Sequence, residues 1–372
     1  VAMANGLSLH TAVMVANFFE RYGKREVSHE IYEGLDKIYP YNPFISAMAH
    51  GDPKRVLAPN ITRVADGAAL ALFDLATLLY EKRAYDSAQI YGSLVQQLSP
   101  ASPFAMMMMG DIAALHERYA KAIANYTAID ASSPIYWISR VRMAEVYEAS
   151  GQADKSIAML TSWSRDKATR VSAFVSLGDV YRRQGKYEEA VTAYNQALAD
   201  IPAMTAAQWP VIYARGMAEE RLNHWSSAEK DLLQALSFQP DNPMILNFLA
   251  YSWANKGVNL GKALEYAKHA VSLRPDDGYI LDSYGWTLFR LSQYSDSVVW
   301  LERAVAQVPE DSTLLDHLGD AYWQVGRHDE ARYRWKHAHD LSQDAAFKTL
   351  AEQKMRHGIT VPNQVSQNET GL

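Results

Sequence analysis

Residues 174–202 read FVSLGDVYRRQGKYEEAVTAYNQALADIP. Phe174, Leu177 and Tyr181 recur at helical spacing, Gly185 interrupts them, and a second helical pattern runs through Ala190 and Tyr194 to Pro202. Proline stops the second helix and is tolerated at the start of the next. The stretch is thus a pair of amphipathic helices joined by a glycine turn, and neither can bury its apolar face alone.

Outward from this pair the pattern repeats with a period of 34 residues. Repeats begin at residues 9, 69, 103, 137, 171, 209, 243, 278 and 312. The eighth position holds Ala16, Ala76, Gly110, Ala144, Gly178, Gly216, Ala250, Gly285 and Gly319; the twentieth holds Ser28, Ala88, Ala122, Ser156, Ala190, Ala228, Ser297 and Ala331, with Ala263 one place later in the repeat that begins at 243, which is one residue longer. Only small side chains let the two helices of a repeat cross closely. Pro40, Pro100, Pro134, Pro202, Pro240 and Pro309 share one position, with Pro275 one place later in the longer repeat, and Gly23, Gly151, Gly185, Gly257 and Gly326 share the turn, where a left-handed residue ends the first helix.

This pattern resembles the tetratricopeptide repeat (TPR). The resemblance implies an all-α fold: a right-handed superhelical solenoid of about nine helix-turn-helix repeats plus a C-terminal capping helix. The expected organisation is a first helical pair over 1–42, a non-repeat insertion of helix plus loop over 43–68, and eight repeats in one continuous array over 69–345. A capping helix over 346–357 and a disordered tail over 358–372 complete it. The insertion carries the turn signals Gly51-Asp52-Pro53 and Pro59-Asn60. In the helix from Ala345 to His357, Lys348, Glu352, Gln353, Lys354 and Arg356 read as a solvent-facing cap.

Composition narrows the function classes. A net charge of -6 gives no basic footprint for nucleic acid. Cysteine is absent, which excludes disulfides, thiol nucleophiles and thiolate metal sites. No run of 18 apolar residues spans a membrane. The chain opens on Val1, read as a sign of a piece of something longer. No metalloprotease, phosphate-loop or nucleophile-elbow motif is present, and His337 and His339 point about 200° apart on a helix. His317 with Asp316 and Asp320 is the best local cluster and reads as a hydrogen-bonded histidine. The expectation is a non-enzyme without catalytic residues, cofactor or metal.

By the TPR resemblance, positions 2, 5, 9 and 12 of each first helix face a groove. That places Asp111, Glu145 and Asp179 on the inner wall, followed by Asn247 and Tyr251, then Asp282, Trp286 and Phe289, then Asp316, Asp320 and Trp323. An acidic and aromatic surface of this kind suits a protein partner with exposed lysine or arginine. Position 5 reads Val13, Phe73, Met107, Val141, Val175, Tyr213, Asn247, Asp282 and Asp316. With no lysine there, the carboxylate clamp of chaperone-binding TPR domains is not expected. In the four-methionine run, Met106 and Met109 read as core and Met107 as groove-facing.

Four segments resemble a narrower group: residues 67–76 (GAALALFDLA), 247–253 (NFLAYSW), 274–286 (RPDDGYILDSYGW) and 316–327 (DHLGDAYWQVGR). They are similar to large TPR proteins of Gram-negative, notably alphaproteobacterial, cells. Relatives in that group are outer-membrane lipoproteins that act as adaptors for periplasmic C-terminal processing proteases. The resemblance implies a periplasmic, tethered adaptor that presents protein clients to such a protease. The alternative is a scaffold for another envelope, secretion or polysaccharide-export assembly. The lipid-attachment cysteine of the group is missing here.

Overall fold

The computed structural model describes residues 8–50, 61, 63–201 and 204–359. Among these residues every regular element is helical. The nine repeats fold as hairpins: α1 (Leu9–Arg21) with α2 (Arg25–Ile38), α4 (Val64–Glu81) with α5 (Tyr85–Leu98), α6 (Pro103–Leu115) with α7 (Tyr119–Thr127), α8 (Tyr136–Ala149) with α9 (Ala153–Trp163), and α10 (Arg170–Arg183) with α11 (Tyr187–Ala199). Then come α12 (Trp209–Arg221) with α13 (Trp225–Phe238), α14 (Pro243–Lys256) with α15 (Leu260–Leu273), α16 (Gly278–Arg290) with α17 (Tyr294–Gln307), and α18 (Ser312–Gln324) with α19 (His328–Leu341). Outside the hairpins stand α3 (Pro43–His50) and α20 (Ala345–His357). None of these helices is long and apolar enough to cross a membrane.

The repeat sets local geometry at three places. The turn residue has positive φ in every repeat: glycine in five, and Arg83, Glu117, Asn223 and Ser292 in the other four. Several first helices open on a side-chain cap. Asn242, Asp277 and Asp311 each accept hydrogen bonds from two backbone N–H groups of the following turn. The small eighth residue receives a large side chain from the second helix. A Cβ on Gly110 or Gly178 would overlap the ring of Tyr126 or Tyr194, and one on Gly319 would lie 2.5 Å from Trp335 Nε1.

In the expected insertion, α3 packs on α2, and its cap Asn42 also donates to the Pro134 carbonyl at 3.0 Å. The remaining turn signals at Gly51-Asp52-Pro53 and Pro59-Asn60 lie outside the described residues, as does the expected tail beyond Ile359.

Contacts divide the chain into two compact units, residues 1–231 and 232–372, with the boundary inside α13. In the N-terminal unit the core is a succession of small clusters, each shared between one hairpin and the next. One joins Ala12, Ile31, Tyr32, Leu35 and Ile45, and another joins Ala69, Phe73, Val95, Ala105 and Ile112. In the C-terminal unit Trp253, Leu281, Leu301, Leu315 and Trp335 are the fully buried anchors.

Candidate protein-binding site

In the N-terminal unit the first helices α1, α4 and α6 and the turn before α8 enclose a cleft of about 640 Å³. Its floor is apolar: Val13, Met14, Leu70, Phe73, Phe104 and Met106. His10 stands among them, its ring 4.8 Å from Phe73 and 4.5 Å from Phe104. Burial pushes the His10 imidazole below its usual range, so the neutral form is favoured; Asp74 opposes this more weakly. The cleft rim is polar, with Arg63, Asp66, Asp130 and Ser132. Size, apolar floor and polar rim are those of a ligand-binding concavity. The repeat numbering carried the signal for it, since His10, Leu70 and Phe104 share position 2, and Val13 and Phe73 share position 5. In the methionine run Met109 is buried as expected, but Met106, read as core, lines the cleft, and Met107, read as groove-facing, packs against the cluster of Ala113 and Tyr126.

The expected acidic wall of the N-terminal unit is engaged from within. Asp111 accepts from Tyr126 Oη at 2.7 Å, and Asp179 accepts from Tyr194 Oη at 2.7 Å. Burial pushes the Asp111 carboxyl upward, and the tyrosine hydrogen bond only partly offsets it. Glu145 has no such aromatic and takes Arg142 at 2.9 Å instead. Between α8 and α10, Arg183 grips Glu148 through Nε and Nη2 at 2.6–3.1 Å. Tyrosine hydroxyls and arginines, unread in the sequence, thus hold this wall, which is not a field of free carboxylates.

In the C-terminal unit the predicted residues are engaged from within, mostly by His317, Trp335 and Lys354, which were not among the predicted groove residues. Asp282 is buried with both carboxylate oxygens 3.0 Å from His317 Nδ1. Burial alone would lower the His317 pKa, but Asp282, with Asp316 and Asp320, outweighs it, and the net displacement is upward. Trp286 stacks on His317 (4.0 Å, 11°) and on the buried Phe289 (4.8 Å, 7°), and its Nε1 donates to Asn255 at 2.7 Å. Tyr251 lies 6.2 Å from the His317 ring, and the half-buried Asn247 keeps a buried side-chain oxygen without a hydrogen-bond partner among the described residues.

At α18, Asp320 accepts from Trp335 Nε1 at 2.9 Å. Lys354 of α20 approaches Asp316 at 2.7 Å and Asp320 at 2.8 Å. Desolvation first, and the Asp316 charge second, push the Asp320 carboxyl up to about 6. Lys354 was expected to face solvent; it is buried because two carboxylates require a cation inside. Trp323 packs on His328 (4.1 Å) and Trp335 (5.5 Å), and Gly358 lies so close that a Cβ would overlap its indole. As contacts for a basic partner, Asp282, Asp316 and Asp320 are therefore already taken, which corrects the expected acidic surface. Among the described residues no group of three metal-ligating side chains comes together.

The tetratricopeptide repeat-like domain family matches residues 103–212, and the tetratricopeptide repeat family matches residues 213–278 and 285–335. The chain is a tetratricopeptide-repeat protein with an all-α TPR fold. It is 27% identical over 213 residues to a TPR repeat-containing protein of Pseudomonas aeruginosa, a match that covers 57% of this chain and 35% of that protein. It is 24% identical over 217 residues to the human protein O-mannosyl-transferase TMTC1, across 49% of this chain but 24% of that protein. The match thus spans about a third and a quarter of the length of these two relatives. Among solved structures, the Cut9–Hcn1 assembly of the APC/C aligns over 94% of this chain and 76% of that one, with TM-score 0.55 and 11% identity, a likeness of fold.

Proposed function

We propose that this chain is a protein-binding scaffold that captures an apolar-bearing segment of a partner in the cleft between α1, α4 and α6. The observation that carries the reading is the cleft itself: about 640 Å³ with an apolar floor, on a TPR fold. TPR arrays in general bind proteins, and an apolar floor with a polar rim favours recognition by burial, with the rim fixing orientation. Within this reading, the finer role is that of a cell-envelope adaptor that presents protein clients to a periplasmic C-terminal processing protease. In the full-length protein it would be tethered to the outer membrane. Support for the finer role comes from the four sequence segments described above and from the similarity to a bacterial TPR protein over more than half of the chain.

The test uses the chain as bait in a solubilised envelope extract, beside a Met14→Glu/Leu70→Glu variant. Both side chains are half-buried in the cleft, so the charges enter it without replacing the fully buried core. Capture of a C-terminal processing protease or its substrates by the parent chain, lost in the variant, is the expected result. Equal capture by both baits would move the contact away from the cleft, and an eluate without such a protease would end the adaptor role.

A further inference from the structure

We propose that α20 is a detachable latch: Lys354 and Gly358 close the Asp316–Asp320–Trp323 face of α18, and release of α20 opens that face to a basic protein segment. The inference concerns the C-terminal unit alone and does not depend on the cleft in the N-terminal unit.

Of the thirteen residues of α20 only Ala351 and Lys354 are buried, as few as in α9, and in α20 one of the two is a cation. A helix of this length is marginal in water by itself and normally depends on an apolar face. Here the apolar contribution is small, and the central tie is the Lys354 ammonium between two carboxylates at 2.7 and 2.8 Å. The other ties lie at the surface: Arg332 donates to the Met355 carbonyl at 3.3 Å, and His339 stands 3.4 Å from Glu352.

Such an ion cluster is strong only while complete. Its geometry must offset the desolvation of every ion, and removing one partner leaves uncompensated charge inside. Once open, the two carboxylates regain water, so the open state is accessible in a way that exposing a large apolar face would not be.

The placement of the lysine is specific. A tenth repeat in the same phase would start at residue 346, which puts Lys354 at its ninth position. That position carries an acid in Asp111, Asp179 and Asp320. The cap therefore reverses the charge at the place where it meets α18. Beyond the helix, Gly358 takes φ +71° and lies against Trp323, a seat that a larger residue would not fit. Together Lys354 and Gly358 cover the acids and the indole that the sequence marked as a surface for a basic partner. The covering segment itself defines the ligand chemistry: a lysine or arginine entering between two carboxylates, with a small residue nearby on the tryptophan.

The experiment compares the full chain with Lys354→Met and Lys354→Arg. Hydrogen exchange is followed separately for α20 and α17, and the probe is a labelled peptide of residues 343–359. The parent chain should protect α20 and leave the peptide unbound. Lys354→Met should speed exchange in α20 by about ten-fold or more while α17 stays at the parent level, and it should now bind the peptide. A peptide with methionine in place of the lysine should not bind, and Lys354→Arg should stay closed. The latch is refuted if α20 exchange is unchanged in Lys354→Met, because packing would then hold the helix. It is equally refuted if α17 loosens together with α20, or if the opened variant ignores the peptide. None of these readouts involves a protease, so a failure here is distinct from a failure of the adaptor role.

Discussion

At the scale of single residues, the position after each first helix separates what the chain requires from what its composition supplies. All nine repeats need a left-handed residue there, and five provide glycine. Arg83, Glu117, Asn223 and Ser292 adopt φ of 57–62° instead. For a side chain other than glycine or asparagine this conformation costs roughly 1–2 kcal/mol, partly balanced by the greater freedom of glycine in the unfolded chain. Glu117→Gly and Ser292→Gly are accordingly expected to stabilise the protein by about 0.5–1 kcal/mol each. Denaturant midpoints at unchanged slope would check this, and a loss of stability would mean that the side chains make contacts worth more than the strain. A second residue-scale rule joins positions 8, 9 and 24. In three repeats glycine at 8 admits an aromatic from 24 and the acid at 9 accepts its polar hydrogen: Gly110, Asp111 and Tyr126; Gly178, Asp179 and Tyr194; Gly319, Asp320 and Trp335. This explains why an acid recurs at position 9 without reference to any partner.

At the scale of elements, the pairing of α16 with α18 and α20 makes the C-terminal unit sensitive to pH. His317 has its folded pKa above its ordinary value, so the stability it contributes is fully present below about 6.5 and is lost as pH rises through the folded value. Asp320 is raised from 3.8 to about 6, so the folded form also holds this proton more tightly, and stability falls as pH climbs between those values. Both groups act in the same direction, Asp320 below about pH 6 and His317 above about pH 6.5, so His317 governs the range from pH 6 to pH 8. Helices α16 to α20 should therefore melt at a higher temperature at pH 6 than at pH 8, with His317 titrating above its ordinary value by NMR. Asp282→Asn should lower that titration and shrink the difference; a melting temperature that rises from pH 6 to pH 8 would contradict the assignment.

At the scale of the whole molecule, each repeat meets chiefly its neighbours, so a local defect should stay local. Gly178→Ala forces a Cβ into the Tyr194 ring, an overpacking that typically costs about 1–3 kcal/mol. Hydrogen exchange should accelerate in α10 and α11 and in the adjoining α9 and α12, while α16 to α19 keep the parent's protection. Uniform acceleration in both units would show that they unfold as one cooperative body.

The sequence by itself determined the repeat, the hairpins and their turns, because these follow from local demands: helical periodicity, a small residue where helices cross, and a turn residue that tolerates positive φ. In the C-terminal unit it named Asp282, Trp286 and Asp320 as groove residues and His317 only beside Asp316 and Asp320; that Asp282 and Trp286 converge on His317 was not legible in it. Only the tertiary structure decided what these residues do there. An acid on a groove position looks the same in sequence whether it faces water or a buried cation. Lys354 lies 34 residues beyond Asp320, and nothing local to either announces that burial will force them to pair. The N-terminal cleft was decided in the same way. Its floor is drawn from three separate hairpins, and enclosure is a property of how they stack, which periodicity along one helix does not encode.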